Sequence, residues 1–185
     1  MSQPGFTVWI TGLSGAGKST MAAKLATAVR EAGCKVEVLD GDEIRATLNS
    51  DLGFFKEARD ANVRRIGFVA RLLARNGVAV IVAAISPYRA VRDEVRGAIE
   101  AEGCGFVEVH ARCSIDELAR RDVKGLYQRA LRGELQGFTG VSDPYEEPLN
   151  PDVTFDSESE SEEDSLRRLL GHLESRGYLP TARLS

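Results

Sequence analysis

Apolar and polar positions along the chain fall into blocks that read alternately as strand and helix. Phe6 to Thr11 is apolar and β-branched enough for a buried strand, and Ser19 to Arg30 follows with Met21, Leu25, Ala28 and Val29 as the apolar side of a helix stopped by Ala32-Gly33. Val36 to Leu39 predicts a second short strand, ending in Asp40-Gly41-Asp42. Over Ala61 to Arg75, Val63, Ile66, Val69, Ala70 and Leu73 recur at helical spacing, with Arg64, Arg65, Arg71 and Arg75 on the other faces as solvated cations. Asn76-Gly77 closes that helix. Val78 to Ile85 is then an unbroken apolar run of eight, as expected of a central parallel strand covered on both sides. Val91, Val95, Ala98 and Ile99 form the face of the next helix, and Phe106 to Val109 a fourth strand. Val153 to Phe155 reads as a short last strand, and Leu166, Leu169, Leu170 and Leu173 as the stripe of a final helix. The acidic run Asp156 to Asp164 leads into that helix, with Ser161 and Asp164 spaced as a cap.

Between Asp122 and Pro151 the periodicity breaks. Four glycines lie between Gly125 and Gly140, Pro144, Pro148 and Pro151 follow, and Lys124, Arg129 and Arg132 sit on an opening half-helical segment. Tyr127, Phe138 and Tyr145 argue against simple disorder, so a stretch this long is either a lid or a packed surface excursion, and a lid over a nucleotide is the favoured reading.

At 185 residues with 43% hydrophobic content, the chain suits one domain with a full core. A net charge of −4 means that a polyanionic substrate must be drawn by local clusters of Arg and Lys, and it makes nucleic acid an unexpected partner. Cys34, Cys104 and Cys113 lack paired spacing and read as reduced, buried thiols, while His110 and His172 are isolated and read as structural or surface residues. The start Met1-Ser2-Gln3-Pro4-Gly5-Phe6 has no basic region followed by an apolar core. No apolar run approaches the roughly 18 residues of a membrane span. The expectation is a cytoplasmic protein without a membrane partner.

The candidate chemistry starts at Gly12-Leu13-Ser14-Gly15-Ala16-Gly17-Lys18-Ser19, which matches G-x-x-x-x-G-K-[ST] between a predicted strand and a predicted helix. Glycines let backbone N–H groups converge on phosphate oxygens, the helix terminus adds partial positive charge, Lys18 supplies a point charge and Ser19 a magnesium ligand. Asp40 and Asp42 fall at a strand's carboxyl end, on the rim where ligands gather, although Asp42 also reads as an ordinary helix cap. Ser86 before Pro87 reads either as a cap and first helical residue or as a hydroxyl on the same rim. The carboxylate that a GTPase or motor carries after the central strand is missing there, and so is N-K-x-D. A kinase of a small acceptor needs what remains: a cradle, a carboxylate on the neighbouring strand end, cations and a closing lid.

Gly12 to Thr20, Leu39-Asp40-Gly41-Asp42 with Arg45, Leu52-Gly53-Phe54, Arg59 with Asn62, Ile85-Ser86-Pro87-Tyr88-Arg89, Arg121 to Tyr127 and Gly137-Phe138-Thr139-Gly140 together resemble the adenylyl-sulfate (APS) kinase family, from about Gly5 to Leu173. The resemblance implies transfer of the γ-phosphate of ATP to the ribose 3′-hydroxyl of adenylyl sulfate. It implies ATP contacts from Gly12, Leu13, Ser14, Gly15, Ala16, Gly17, Lys18, Ser19, Thr20 and, near the base, Arg121. Asp42 would face the 3′-hydroxyl, Arg45, Arg59 and Asn62 would hold the anionic end, and Phe54 and Phe138 would flank the acceptor adenine. Ile85 and Ser86 would line the acceptor, Lys124 would reach it from the lid, and Ser86 matches a serine assigned in bacterial members as a phosphorylated intermediate. Lys18, Asp42 and Ser86 are thus the catalytic candidates. Glu43, Ala46-Thr47 and Phe55-Lys56-Glu57-Ala58 depart from the family's usual residues, which bears on affinity more than on reaction type.

The expectation is an α/β, P-loop nucleotide-kinase-like fold: one domain over 1–185, a mostly parallel five-stranded sheet with helices on both faces, and a lid at about 122–151. Magnesium would accompany ATP, with Ser19 as ligand and Asp40 or Asp42 in support. The resemblance further implies a homodimer and an association with the sulfate-adenylating enzyme. A P-loop kinase of another small hydroxyl acceptor, or a non-catalytic nucleotide-binding module, are the alternatives.

Overall fold

The computed structural model describes residues 5–122 and 124–179; Met1 to Pro4, read above for a leader, and Val123, inside the Arg121 to Tyr127 motif, lie outside the described residues. Five strands, β1 (Phe6–Thr11), β2 (Val36–Asp40), β3 (Ala79–Ala83), β4 (Gly105–Arg112) and β5 (Val153–Asp156), form one sheet in the order β2-β3-β1-β4-β5. Every pairing is parallel, so all carboxyl ends meet on one rim and the expected "mostly parallel" sheet is wholly so. The middle place goes to β1, not to the long apolar run. All six residues of β1 are buried, including Thr7 and Thr11, and it pairs with β3 on one side and β4 on the other. The run Val78 to Ile85 contributes only five residues to β3, because the Ala84 N–H makes a last bond to the Ile10 carbonyl and the chain then leaves the sheet.

Two apolar layers flank the sheet. On one face, α1 (Lys18–Glu31) and α7 (Glu162–Ser175) bury Met21, Leu25, Val29, Leu169 and Leu173 against Val8, Ile10 and Val109. On the other, α3 (Lys56–Ala74) and α4 (Arg89–Glu100) bury Val63, Ile66, Val95 and Ile99 against Trp9, Val80 and Phe106. Each of these large side chains contributes about 1.5–3 kcal/mol of transfer free energy on full burial. Ser161 accepts from the Asp164 N–H at 3.1 Å and caps α7, as its spacing predicts. Among the described residues no helix is long and apolar enough to cross a membrane.

Three local expectations change. A short helix, α2 (Gly41–Ala46), follows β2, and its cap is Asp40, whose carboxylate accepts from the Asp42 N–H at 2.9 Å; Asp42 is therefore not the cap. The helix expected from Ala61 begins at Lys56; its first turn, Lys56 to Arg59, carries no apolar stripe, so hydrophobic periodicity does not reveal it. Ser86-Pro87 is not a helix start either: α4 begins at Arg89 with Tyr88 as cap, and Ser86 sits in a turn with φ of 41°.

The segment 122–151 splits into two parts. After α5 (Ile115–Arg121), Gly125 caps α6 (Leu126–Leu131), and the Asp122 carboxylate accepts from the first-turn N–H groups of Tyr127 and Gln128. From Gly137 onward the chain returns pinned to the body, with the Gly140 N–H bonded to Asp143, the Glu146 N–H to Pro87 and the Asp152 N–H to Glu108.

Candidate active site

The donor side forms where β1 turns into α1. A Cβ on Gly12 would stand 2.4 Å from the Ala111 carbonyl oxygen, so only glycine lets the turn pass β4. Gly17 caps α1 with φ of 86°, which glycine adopts without steric cost. Lys18 is 9% exposed, and its ammonium donates to the Leu13 carbonyl at 2.7 Å, folding back across the loop. Burial pushes its pKa down to about 8, against the opposing pull of Asp42 and Asp40. Ser19 donates its hydroxyl proton to Asp40 Oδ2 at 2.5 Å. Ala16 is fully buried and locks the loop into the core, while the Tyr127 hydroxyl donates to the Ser14 carbonyl at 2.6 Å and ties α6 to it. Sequence reasoning gave Tyr127 no such role; its place just after the Gly125 turn was the available signal.

The acceptor side faces it from α2, α3 and the loop between them. Asp42 projects from the first turn of α2 with its side chain 84% exposed, 3.3 Å from the Lys124 ammonium. Arg45 donates to the Gly53 carbonyl at 2.9 Å and lies 4.8 Å from the centre of the Phe54 ring, a cation–π contact that holds this exposed aromatic in place. Burial, and then the nearby Arg59, hold the Arg45 pKa below its usual value. Arg59 is buried and engaged with its own loops: it donates to the Phe54 carbonyl at 2.7 Å, to Thr139 Oγ1 at 2.5 Å and to the Gly137 carbonyl, with Asp143 at 3.4 Å. Asn62 accepts from Asn49 Nδ2 at 2.7 Å.

One cavity of about 410 Å³ joins the two sides. From the donor side Ser14, Gly15, Gly17, Lys18, Ser19 and Thr20 line it; from the acceptor side come Asp42, Arg45, Phe54, Arg59 and Asn62. Ile85, Ser86, Arg121 and Lys124 line it as well. The expected aromatic pair is not brought together. Phe54 lines the cavity, whereas Phe138 packs edge-on against Tyr127 at 5.0 Å and rests on the core. Ser86 is only 3% exposed, and its hydroxyl accepts from Trp9 Nε1 at 3.0 Å while lying 3.2 Å from the Ala84 carbonyl. Arg121 donates to the Ser157 carbonyl at 2.7 Å and to Glu117, fixing its guanidinium beside the cavity mouth. The departures at Glu43, Ala46 and Thr47 are exposed and outside the lining.

Among the described residues no three His, Cys, Asp or Glu side chains converge into a metal cage. The Ser19 hydroxyl against the Asp40 carboxylate is instead a pair of hard oxygen donors beside the phosphate loop. It fits a Mg²⁺ that brings most of its ligands as water and phosphate.

The profile of the family described as adenylylsulphate kinase matches residues 4–156. An adenylyl-sulfate kinase of a Picosynechococcus species is 53% identical over 179 residues, covering 97% of this chain and 99% of that one. A protein of Sorangium cellulosum named probable bifunctional SAT/APS kinase 2 is 55% identical over 176 residues, which make up 95% of this chain and 30% of the relative. The solved structure of the Mycobacterium tuberculosis APS kinase CysC in complex with AMPPNP and APS superposes with a TM-score of 0.88 at 42% identity, over 92% of this chain and 98% of that one.

Proposed function

The chain belongs to the adenylyl-sulfate kinase family, and we propose that the cavity between the phosphate loop and α2 is where it performs that family's reaction. The protein transfers the γ-phosphate of ATP to adenylyl sulfate, giving 3′-phosphoadenylyl sulfate and ADP. The observation that supports the siting is that one cavity of about 410 Å³ is lined by Lys18 and Ser19 on one side and by Asp42, Arg45 and Asn62 on the other.

In this reading the N–H groups of Ser14 to Ser19 and the Lys18 ammonium hold the β- and γ-phosphates. Asp42 orients the 3′-hydroxyl and accepts its proton as the oxygen attacks phosphorus. Its exposed carboxylate stands on the rim that Lys18 occupies, with Lys124 at 3.3 Å to exchange for an anionic substrate. Arg45 and Asn62 grip the sulfate-phosphate end, and Arg59 joins them by giving up a bond to the Gly137-Thr139 loop. Phe54 stacks on the acceptor adenine, with Phe138 swinging in from the same loop as Arg59 releases it. Arg121 borders the ATP base. Ser86 contributes its place in the wall; its buried hydroxyl, held by Trp9, makes direct in-line transfer the simpler chemistry.

Ser19 and Asp40 would hold Mg²⁺, which when bound neutralises phosphate charge as the transfer proceeds. Segment 122–151 closes as a lid through its outer part, Lys124 to Gln136, and the whole chain works as one domain. A cytoplasmic homodimer is the assembly we favour. Association with a sulfate-adenylating partner is supported by the bifunctional name of the Sorangium relative.

The siting is tested by incubating the protein with ATP, Mg²⁺ and adenylyl sulfate and following 3′-phosphorylated product. Wild type is expected to make it and Arg45→Ala to need much more acceptor. Equal acceptor KM in the two proteins would overturn the siting.

A further inference from the structure

One buried cation outside the cavity lining ties a turn of the cavity wall to β4 and to the returning leg of segment 122–151, and the reaction described above gives it no task. Arg92, on α4, is 2% exposed. Its Nε donates to Glu108 Oε1 on β4 at 2.9 Å, one terminal nitrogen donates to the Ser86 carbonyl at 2.7 Å, and the other to the Glu146 carbonyl at 2.7 Å. Only the planar fork of a guanidinium can make three such bonds in fixed directions, and Glu108 balances the buried charge. Ser86 is a cavity residue held at φ 41°, in the left-handed region that a non-glycine residue keeps only when its surroundings impose it. Glu146 lies on the returning leg of segment 122–151, and it is bonded directly to the turn through its N–H to Pro87 and to the start of α4 through its carboxylate, which accepts from the Arg89 N–H.

A second strut runs in parallel. Thr11 gives its one hydroxyl proton to the Ile85 carbonyl at 2.6 Å, so in its 3.0 Å contact with Tyr145 the phenol must be the donor. Burial pushes the Tyr145 phenol up to about 12, which keeps that proton in place at any working pH. The turn Ile85-Ser86-Pro87 is thus fastened to β1 through Thr11 and Trp9, to β4 through Arg92 and Glu108, and to the returning leg through Glu146 and Tyr145.

We propose that Arg92 and Tyr145 are positioning residues for the acceptor: they hold the Ile85-Ser86-Pro87 turn where it serves as the acceptor wall and couple that wall to the returning leg. The proposal rests on the siting of adenylyl sulfate against this turn. It differs from a stability role because the two substrates should feel it unequally.

The chain contains one tryptophan, Trp9, whose indole N–H bonds to Ser86, so a nitrogen-15 proton spectrum carries a single indole signal that reports on the turn. In wild type with ADP bound, adding adenylyl sulfate is expected to shift that signal; no shift at saturation would sink the siting itself. Arg92→Lys keeps the charge but not the fork. It is expected to move the indole signal and raise KM for adenylyl sulfate about tenfold, with KM for ATP within about twofold. Tyr145→Phe removes one hydroxyl and should raise the acceptor KM about threefold. Leu173→Ala opens a cavity on the opposite face of the sheet and serves as the control for lost stability, leaving the ratio of the two KM values unchanged. If the indole responds to the acceptor in wild type, yet folded Arg92→Lys or Tyr145→Phe leaves the acceptor KM unchanged or raises both KM values equally, the positioning role is overturned while the siting stands. Should Arg92→Lys fail to fold, Tyr145→Phe decides by the same ratio.

Discussion

The phosphate loop between β1 and α1 is shaped by backbone and by a lysine that is 9% exposed, whereas the opposite wall presents Phe54 at 64% exposure and Asp42 with its side chain at 84%. On the loop side, Gly12, Gly17, Ala16 and the Tyr127 bond to Ser14 leave little freedom before nucleotide arrives. On the acceptor side, Arg59 is bonded to Phe54, Gly137 and Thr139, and Lys124 is paired with Asp42. The donor half is preorganised in its backbone, and only the Lys18 ammonium and the Ser19 hydroxyl have local bonds, to Leu13 and Asp40, to give up. The acceptor half must exchange internal partners for substrate, so part of the acceptor's binding energy is spent on assembling its own site.

The sharpest way to break the comparison is to remove the group that makes the donor side rigid and charged. Lys18→Met is expected to lower turnover by at least about a thousandfold, as loss of the cation that meets the transferring phosphoryl group should. Saturating steady-state assays check this. A small effect would mean that backbone N–H groups alone do the work. On the other wall, Asp42→Ala is expected to cost about a hundredfold in turnover through loss of a positioned base, with ATP affinity retained. Calorimetric titration with ATP alongside the rate separates the two, and a near-normal rate would remove Asp42 from the proton-accepting role.

The donor side also makes a prediction in pH. Lys18 is pushed down to about 8 in the free protein by burial, and the incoming triphosphate favours its protonated form. Binding of ATP should therefore take up protons between about pH 8 and 9, and affinity should fall about tenfold from pH 7 to pH 9. Calorimetry at pH 8.5 in two buffers of different ionisation enthalpy measures the uptake; none would mean Lys18 keeps its proton throughout. For folding the sign is opposite. Between about 8 and the ordinary 10.5 the unfolded chain holds a proton that the folded one has released, so this group makes the free protein more stable as pH rises through that window.

The same contrast explains which features were legible in the sequence alone. The donor side is local: eight consecutive residues between an apolar run and a helical stripe specify it, and it formed as written. The sheet's five strands were legible from apolar runs, but not which one lies at the centre, because Thr7 and Thr11 make β1 look less buried than the longer run at Val78 to Ile85. The acceptor residues were named through resemblance, and most line one cavity. Their bonds in the free state join positions about 80 apart in sequence, such as Arg59 with Thr139 and Asp42 with Lys124, and no periodicity encodes such pairs. The Arg92 fork was invisible for the same reason, since Ser86, Glu108 and Glu146 meet only after the sheet and the returning leg are in place.

The smallest expected effect falls where the two walls meet. Ser86 stands in the turn that follows β3, and its hydroxyl was a candidate for a covalent phosphoenzyme. In the structure that hydroxyl accepts from Trp9 Nε1 at 3.0 Å and the residue is 3% exposed, so a phosphoryl group of three oxygens would have to displace the indole and open the core. What Ser86 offers the cavity is the position of its backbone, held by Arg92 at its carbonyl. Ser86→Ala removes the bond from the indole and the one to the Ala84 carbonyl and leaves the buried indole N–H without its partner, a loss of about 1–3 kcal/mol that should appear as lower stability. Turnover is expected to fall only about threefold, because the carbonyl that Arg92 grips is untouched. Thermal unfolding and saturating rates measure the two separately. A loss of turnover comparable with that of Asp42→Ala, at near-normal stability, would restore the hydroxyl to the chemistry and make the acceptor wall reactive as well as supportive.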